Sequence, residues 1–488
     1  MIKSTIKIHD KFSVVIDVTY NTIFKRKESV YTTITYLFFP DSLNINNKTY
    51  PSTKFYNDVR LFTKYDSPKY TLSQINQGKN SLLKRLETNT NVFINDPSEK
   101  KRSLYEDQVK MFASIFTSLI SERVDAFFKS KSLNVRKVES FLNMIPKMLS
   151  KYRKIVERVS NSSLIMNNKK FVLYADEHMS NVVELQLMRL YNYLKRQELN
   201  DQLNAIINII DYEQKYKKDK GYDSPKSKSI SSEELLYKRN QLKKYIDSVV
   251  FLNQDVRKDG VVFEQTLLAM AAGLAMIFST GVAFYFQKYY GNFTLPFFIA
   301  LVISYMLKDR IKSFISMQFM SKSSTFFYDF KINITNSLGR RIGFFKESFG
   351  FVPFKKLESV IKKYRFKDRT INTRALNEQI IQYKKKIILN SKRFSVDLPD
   401  ENILGLIDIT RFNFHRFIQY MDDPEKDYIL VKKGELYTKI ADKVYPINII
   451  QKYFTEKGAE YKRYRIIMSR NGIKRIEKVR LNDVNYKN

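Results

Sequence analysis

The chain has no cysteine, and that absence removes disulfides, thiolate nucleophiles and cysteine-based zinc sites together. Histidine is nearly as scarce. His9, His178 and His415 lie too far apart for a local His-x-x-x-His pair, so metal chemistry would have to rest on carboxylates. Only 13 Gly and 11 Pro interrupt 488 residues, which favours long regular elements over low-complexity linkers. The phosphate-cradling G-x-x-x-x-G-K-S/T loop, G-x-G-x-x-G, H-E-x-x-H and G-x-S-x-G are all missing, so nucleotide hydrolysis and zinc proteolysis find no support and no cofactor is implied. The opening MIKSTIKIHDKFSVVIDVTY lacks the apolar run and small-residue cleavage site of a signal peptide; its alternation reads as a strand, and the N-terminus is expected to stay unexported.

What is present is apolar surface and positive charge. Hydrophobic residues make up 43% and aromatics 14%, enough to offset chain entropy, and the length suggests two or three domains. The 85 Lys and Arg against 50 Asp and Glu leave +35, an excess that calls for polyanionic surroundings. Residues 1 to 260 carry +16 and residues 308 to 488 carry +19, while the centre holds only Glu264 and Lys288.

That centre reads as a membrane anchor. Gln265 to Gln287 is a run of 23 uncharged residues and Tyr289 to Leu307 a run of 19, against the roughly 20 helical residues that a bilayer core requires. The short QKYYGN turn forces an antiparallel transmembrane hairpin and places Tyr289 and Tyr290 at an interface. Arg257, Lys258, Lys308, Arg310 and Lys312 flank the open ends, against Lys288 in the turn, so the positive-inside rule puts both termini in the cytoplasm. Small-residue spacing such as Ala269-x-x-x-Gly273 suits packing of the first helix on the second.

The resulting fold class is an α+β membrane protein. Residues 1–72 form an N-terminal β-rich part, with strands in FSVVIDVTY, SVYTTITYLFF and VRLFTKY. Residues 73–217 form a helical domain, in which Val109, Phe112, Phe116, Leu119, Ile120, Val124 and Phe127 make one apolar stripe and further helices fall near 134–160, 167–197 and 201–217. Residues 218–264 are a linker and a helix leading to the membrane, started by Ser231 or Ser232 with Glu234 or Glu233 behind it. The hairpin occupies 265–307. Residues 308–325 form a juxtamembrane amphipathic helix, or equally a plain extension of the second helix. Residues 326–488 form a basic, β-rich C-terminal domain in which Asn471-Gly472 marks a hairpin.

Few residues carry chemistry. Asp176, Glu177 and His178, with Glu184 beyond, form the one place where histidine and carboxylates meet. Helix geometry turns these neighbours apart, so a surface role is favoured over catalysis. Asp422, Asp423, Glu425 and Asp427 lack an EF-hand's turn glycine and closing glutamate and read as a solvated turn. The stretch 353 to 395 is more informative, with 13 basic residues and 3 acidic ones interleaved with Tyr364, Phe366 and Tyr383. Lys355, Lys356, Lys362, Lys363, Arg365, Lys367 and Arg369 are the candidate polyanion-binding residues; tethering beside a bilayer favours an anionic lipid surface over single-stranded nucleic acid.

At GNFTLPFFIALVISYMLKDRIK, QYMDDPEKD and VYPINIIQKYF the sequence resembles a family of uncharacterised bacterial membrane proteins with a central two-helix hairpin. The resemblance implies this architecture and a location in the bacterial inner membrane, and no catalytic residues. The expected function is a membrane-anchored cytoplasmic scaffold or accessory protein that binds a protein partner or the anionic leaflet. The alternatives are a membrane-tethered enzyme with a carboxylate-based site and a membrane-attached nucleic-acid binder.

Overall fold

The computed structural model describes residues 2–479 apart from 23–25, 67–69, 72–73, 76–80, 131–132, 165, 223–230, 293, 338, 367–377, 397–402, 404, 433 and 456–457. The chain is of mixed α+β class. The first strands are β1 (Lys3–Ile8), β2 (Ser13–Asn21) and β3 (Glu28–Pro40); a short helix α1 (Ser52–Asp58) then runs straight into β4 (Val59–Tyr65). β-branched and aromatic residues dominate these strands, as pleated half-buried surfaces favour.

The helical part follows: α2 (Leu82–Asn95), α3 (Glu99–Lys129), α4 (Val135–Ser160), α5 (Lys170–Lys195), α6 (Asn200–Lys220) and α7 (Ser232–Asp247). The apolar stripe of α3 is buried from Val109 to Val124, while Phe127 packs at the margin. Ser231 caps α7 by accepting from the Glu234 backbone N–H, one of the two starts expected from the sequence. This helix does not lead directly to the apolar centre. Its chain turns back through Val249, Val250 and Leu252 onto β4, where the Leu252 N–H donates to Thr63 O, and then enters β5 (Asn253–Lys258).

Two long helices come next, α8 (Val261–Tyr290) and α9 (Leu295–Phe326). Residues 308 to 325 are therefore the continuation of α9, not a separate juxtamembrane helix. The remaining strands are β6 (Phe330–Thr335), β7 (Arg341–Phe351), β8 (Glu378–Asn390), β9 (Gly405–Asn413), β10 (Glu425–Lys432), β11 (Glu435–Asp442), β12 (Tyr445–Thr455), β13 (Gly458–Ser469) and β14 (Gly472–Val479), with α10 (Ser359–Phe366) between β7 and β8.

The strands form an eight-stranded antiparallel sheet of order β14-β13-β12-β3-β8-β7-β6-β5, a four-stranded sheet of order β1-β2-β9-β4, and a separate ribbon of β10 and β11. This corrects the expected partition into an N-terminal β part and a C-terminal β domain. β3 lies between β12 and β8, and β9 lies between β2 and β4, so residues 1–72 and 326–488 share both sheets. Residues 1–72 alone would leave β3 and β4 without a partner strand, and residues 326–488 alone would leave β9 without one. The two sheets face each other across one apolar core that is continuous with the helical part, whereas a smaller core on the outer face of the large sheet lies under α10.

Asn471-Gly472 does mark a hairpin, yet the turn residues are Arg470 and Asn471. Gly472 stands at φ +122°, and a Cβ there would lie 2.5 Å from the Lys11 carbonyl oxygen, so its second task is to admit the N-terminal chain.

Candidate membrane anchor and basic sheet face

β5 and β6 pair directly, from Asn253 with Thr335 to Lys258 with Phe330, and the entire α8–α9 hairpin is inserted between them. The joint is tight. Gly260 adopts φ +72°, and a Cβ would lie 2.7 Å from the Phe327 ring, so only glycine lets the chain turn from strand to helix against that ring. Asp259 accepts from Lys346 Nζ at 2.9 Å and donates its backbone N–H to Asp329 O at 3.3 Å, tying both roots of the hairpin to the sheet.

Along the hairpin, Ala271, Ala275, Ala300 and Ser304 are buried, and the Ser279 and Ser304 hydroxyls meet at 2.7 Å. Small residues let the helices approach as expected, but the seam runs through Ala271, Ala275 and Ser279. Ala269 and Gly273 face outward, and nothing lies within 4 Å of a Cβ at Gly273. The outer faces carry uncovered apolar side chains, among them Ile277 at 70% exposure and Leu295 at 71%.

α8 is long and apolar enough to cross a membrane, with a mean hydropathy of 2.0 over its best window. α9 differs from expectation. The uncharged run counted from Tyr289 is split by the turn, because Tyr289 and Tyr290 finish α8 and α9 begins at Leu295. Its uncharged part, 295 to 307, rises about 20 Å against a core of roughly 30 Å. With Ser279 opposite Ser304, Lys308 stands level with Ala275.

Beside the hairpin root, the outer face of the large sheet carries a row of cations. Arg257 pairs across to Lys331, Lys331 to Lys346 and Lys346 to Lys386. Like charges directly opposite each other oppose pairing. Lys346 is compensated by Asp259, Arg257 donates to its neighbour Asp255 at 2.8 Å, and Lys331 and Lys384 stand over the Phe344 and Tyr328 rings. Lys386 has no acidic partner among the described residues.

The sequence-derived polyanion candidates divide. Lys355, Lys356 and Lys363 are exposed. Lys362 is half-buried and donates to Lys355 O at 3.0 Å. Lys367 and Arg369 lie outside the described residues. Arg365 must be withdrawn as a surface cation: it is 4% exposed, and its Nε donates to Glu378 Oε2 at 2.9 Å beneath α10. One helical turn separates it from buried Ile361, which turns both toward the sheet.

The Asp176 cluster is likewise interior, against the expected surface role. The middle of α5, residues 175 to 184, is enclosed by its neighbours, so Asp176, Glu177, His178 and Glu184 are all buried. Arg153 reaches Asp176 Oδ1 at 3.4 Å and holds Glu213 with two hydrogen bonds of 3.0 and 2.6 Å, while Tyr216 and Tyr222 donate to Asp176 Oδ2. Lys217 binds Glu184 at 2.8 Å and Asn181 at 2.7 Å. Burial raises the Asp176 carboxyl above its ordinary range despite Arg153, and burial beside Lys243 lowers His178 to about 4. Arg239 of α7 also reaches Glu184 Oε2 at 3.2 Å, and these ion pairs make the network a structural tie between α4, α5, α6 and α7.

A second buried set lies between the sheets. Lys385 donates to Asp408 Oδ2 at 2.7 Å and Thr410 Oγ1 at 2.9 Å, and Tyr383 donates to Glu347. Burial raises both carboxyls. Tyr383, Lys385, Asp408 and Thr410 border a cavity of about 20 Å³, which is water-sized and too small for an organic substrate. Among the described residues no cluster of three or more His, Asp or Glu is placed to hold a metal ion. Sequence reading missed the Lys385–Asp408 pair, although strand alternation carried a signal: Lys385 is in phase with buried Tyr383 and Ile387, and Asp408 with Leu406 and Phe412.

No family model, curated protein or solved structure matches the chain.

Proposed function

We propose that this protein is a membrane-anchored scaffold or accessory protein, held by the α8–α9 hairpin on the cytoplasmic face of a bacterial inner membrane. One observation carries the reading: an apolar helical pair with uncovered outer faces is inserted between two paired strands. Water penalises such faces by roughly 25 cal/mol per Å² of apolar area, and lipid removes the penalty. Because Lys258 pairs with Phe330, both roots of the hairpin lie together, so a crossing by α8 demands a return by α9. The return relies on Lys308, Arg310 and Lys312 extending toward head groups beyond the short uncharged run. Their charge, with Arg257 and Lys258, favours the cytoplasmic side for the body and both termini. Lys331 and Lys386 then serve as a basic face near an anionic leaflet, where each such residue contributes about 1 kcal/mol. The exposed Lys355, Lys356 and Lys363 add to the same attraction.

The absence of cysteine makes the test direct. Tyr289→Cys at the hairpin tip should react with a membrane-impermeant maleimide applied outside intact cells, in protein retained by membranes after alkaline washing. Recovery in the soluble fraction refutes the anchor. Reaction only after permeabilisation keeps the anchor and refutes the crossing.

A further inference from the structure

The β10–β11 ribbon stands apart from both sheets, and every residue in it is exposed except Ala441, which is half-buried. Two strands alone are marginally stable in water. This ribbon is also unusually apolar. On one face Val431 pairs with Leu436, with Ile429 and Ile440 behind them; on the other Leu430 pairs with Tyr437, next to Tyr428. Leu436 is 75% exposed and Val431 72%. A protein partner docking on one side would leave the other face wet, whereas lipid surrounds both.

Register supplies the second argument. Lys258 at the end of β5 is level with Phe330, Glu347, Lys385, Thr33 and Tyr453, so β5 runs in the same sense as β3 and delivers the chain to α8 toward the Pro40 end of the sheet. β12 runs opposite to β3 and begins beyond Phe38, at that same end, with only Lys443 and Val444 separating it from the ribbon. The ribbon base is fixed there by ion pairs of Asp423 with Arg470 and Asp442 with Lys474. Ribbon and helical hairpin thus join the sheet at strand ends of the same sense, five strands apart. Charge agrees: among the described residues from Tyr428 to Ile440 there are Lys432 and Lys439 against Glu435, suited to an anionic surface.

We propose that the β10–β11 ribbon is a second membrane contact, whose tip inserts into the interfacial layer of the leaflet that the helical hairpin enters. This rests on the anchor reading for its geometry. The outer edges of a two-stranded ribbon present unpaired N–H and C=O groups, which forbids the hydrocarbon centre and sets the depth at the interface. Tyr428 and Tyr437 fit that depth.

The chain contains no tryptophan, so a single one reports without background. Full-length Leu436→Trp is reconstituted into phosphatidylglycerol–phosphatidylcholine vesicles whose acyl chains carry bromine. Ile277→Trp reports on the helical hairpin, and Tyr212→Trp, exposed on α6, gives the aqueous baseline. The expected result is blue-shifted emission from Leu436→Trp, with quenching above the Tyr212→Trp baseline and below that of Ile277→Trp. Val431→Trp should behave alike. Quenching no greater than baseline overturns the proposal. Blue-shifted, unquenched emission that depends on protein density also overturns it, in favour of a second copy covering the ribbon. An unquenched Ile277→Trp refutes the anchor instead, and leaves the ribbon to be judged by its own signal.

Discussion

Replacing Asp408 with Asn keeps the side-chain shape and an acceptor for Lys385, yet leaves an ammonium uncompensated between the sheets. The two side chains are 4% and 2% exposed and 2.7 Å apart. Breaking one partner of so buried a pair costs about 3–5 kcal/mol, whereas exchanging both for apolar groups of similar volume is often neutral or stabilising. Asp408→Asn should therefore lower the urea midpoint of the detergent-solubilised full chain sharply, followed by circular dichroism. Lys385→Met with Asp408→Leu should recover most of the loss, a coupling that independent sites would not show. Titration provides an internal check. Burial outweighs Lys385 and raises the Asp408 carboxyl in the folded state, so between its ordinary value and the raised one the native protein binds the proton more readily and stability falls as pH rises. Asp408→Asn should remove that part of the slope. A cost below about 1 kcal/mol, or a double variant as unstable as the sum of its singles, would refute the assignment of a buried ionised pair.

Arg365→Ala should cost about 3–5 kcal/mol by stranding Glu378 under α10, while exposed Lys363→Ala should stay within about 0.5 kcal/mol; equal effects in the same denaturation assay would return Arg365 to the surface. His178 acts oppositely to Asp408: its folded value near 4 lies below the usual 6.5, so stability is full above 6.5 and declines as pH falls toward 4. That decline reaches about 3 kcal/mol, and His178→Gln should flatten it in stability measured across this range. Replacing residues 260–328 with Asn-Gly should leave β5 and β6 as an ordinary hairpin and let alkaline washing release the body from membranes as a folded protein. Aggregation with loss of strand signal in circular dichroism would show that the hairpin also supports the sheet.

The long periodic features were legible in sequence. The α3 stripe, the α7 cap and the apolar length of α8 each follow from local pattern, and each is present. Strand partners were not legible. A single sequence shows that residues 28–40 and 378–390 are strands, but no local signal says that they pair with each other. The basic segment misled for a related reason: Arg365 read as surface charge because Glu378, which neutralises it, is assigned only by the fold, and Lys385 of the same segment is matched in the same way by Asp408. In α5, FVLYADEHMSNVVELQLM is mostly apolar around its whole circumference. That is the mark of a helix enclosed over its middle turns, where the polar triplet lies, although Leu185 and Met188 beyond it are exposed.

The place of β3 in the large sheet imposes an order on synthesis. Glu378, the first residue of β8 and the partner of Pro40, follows it by 338 positions, an interval of roughly 20–70 s at bacterial elongation rates. β2 and β4 wait still longer for β9 to come between them. Throughout that interval the early strands have unpaired edges, and the apolar hairpin leaves the ribosome before any strand that can close them. On the proposed anchoring, the body is completed around an anchor already made, and nascent chains stalled shortly before residue 378 should be protease-sensitive at β3 while already bound to membranes.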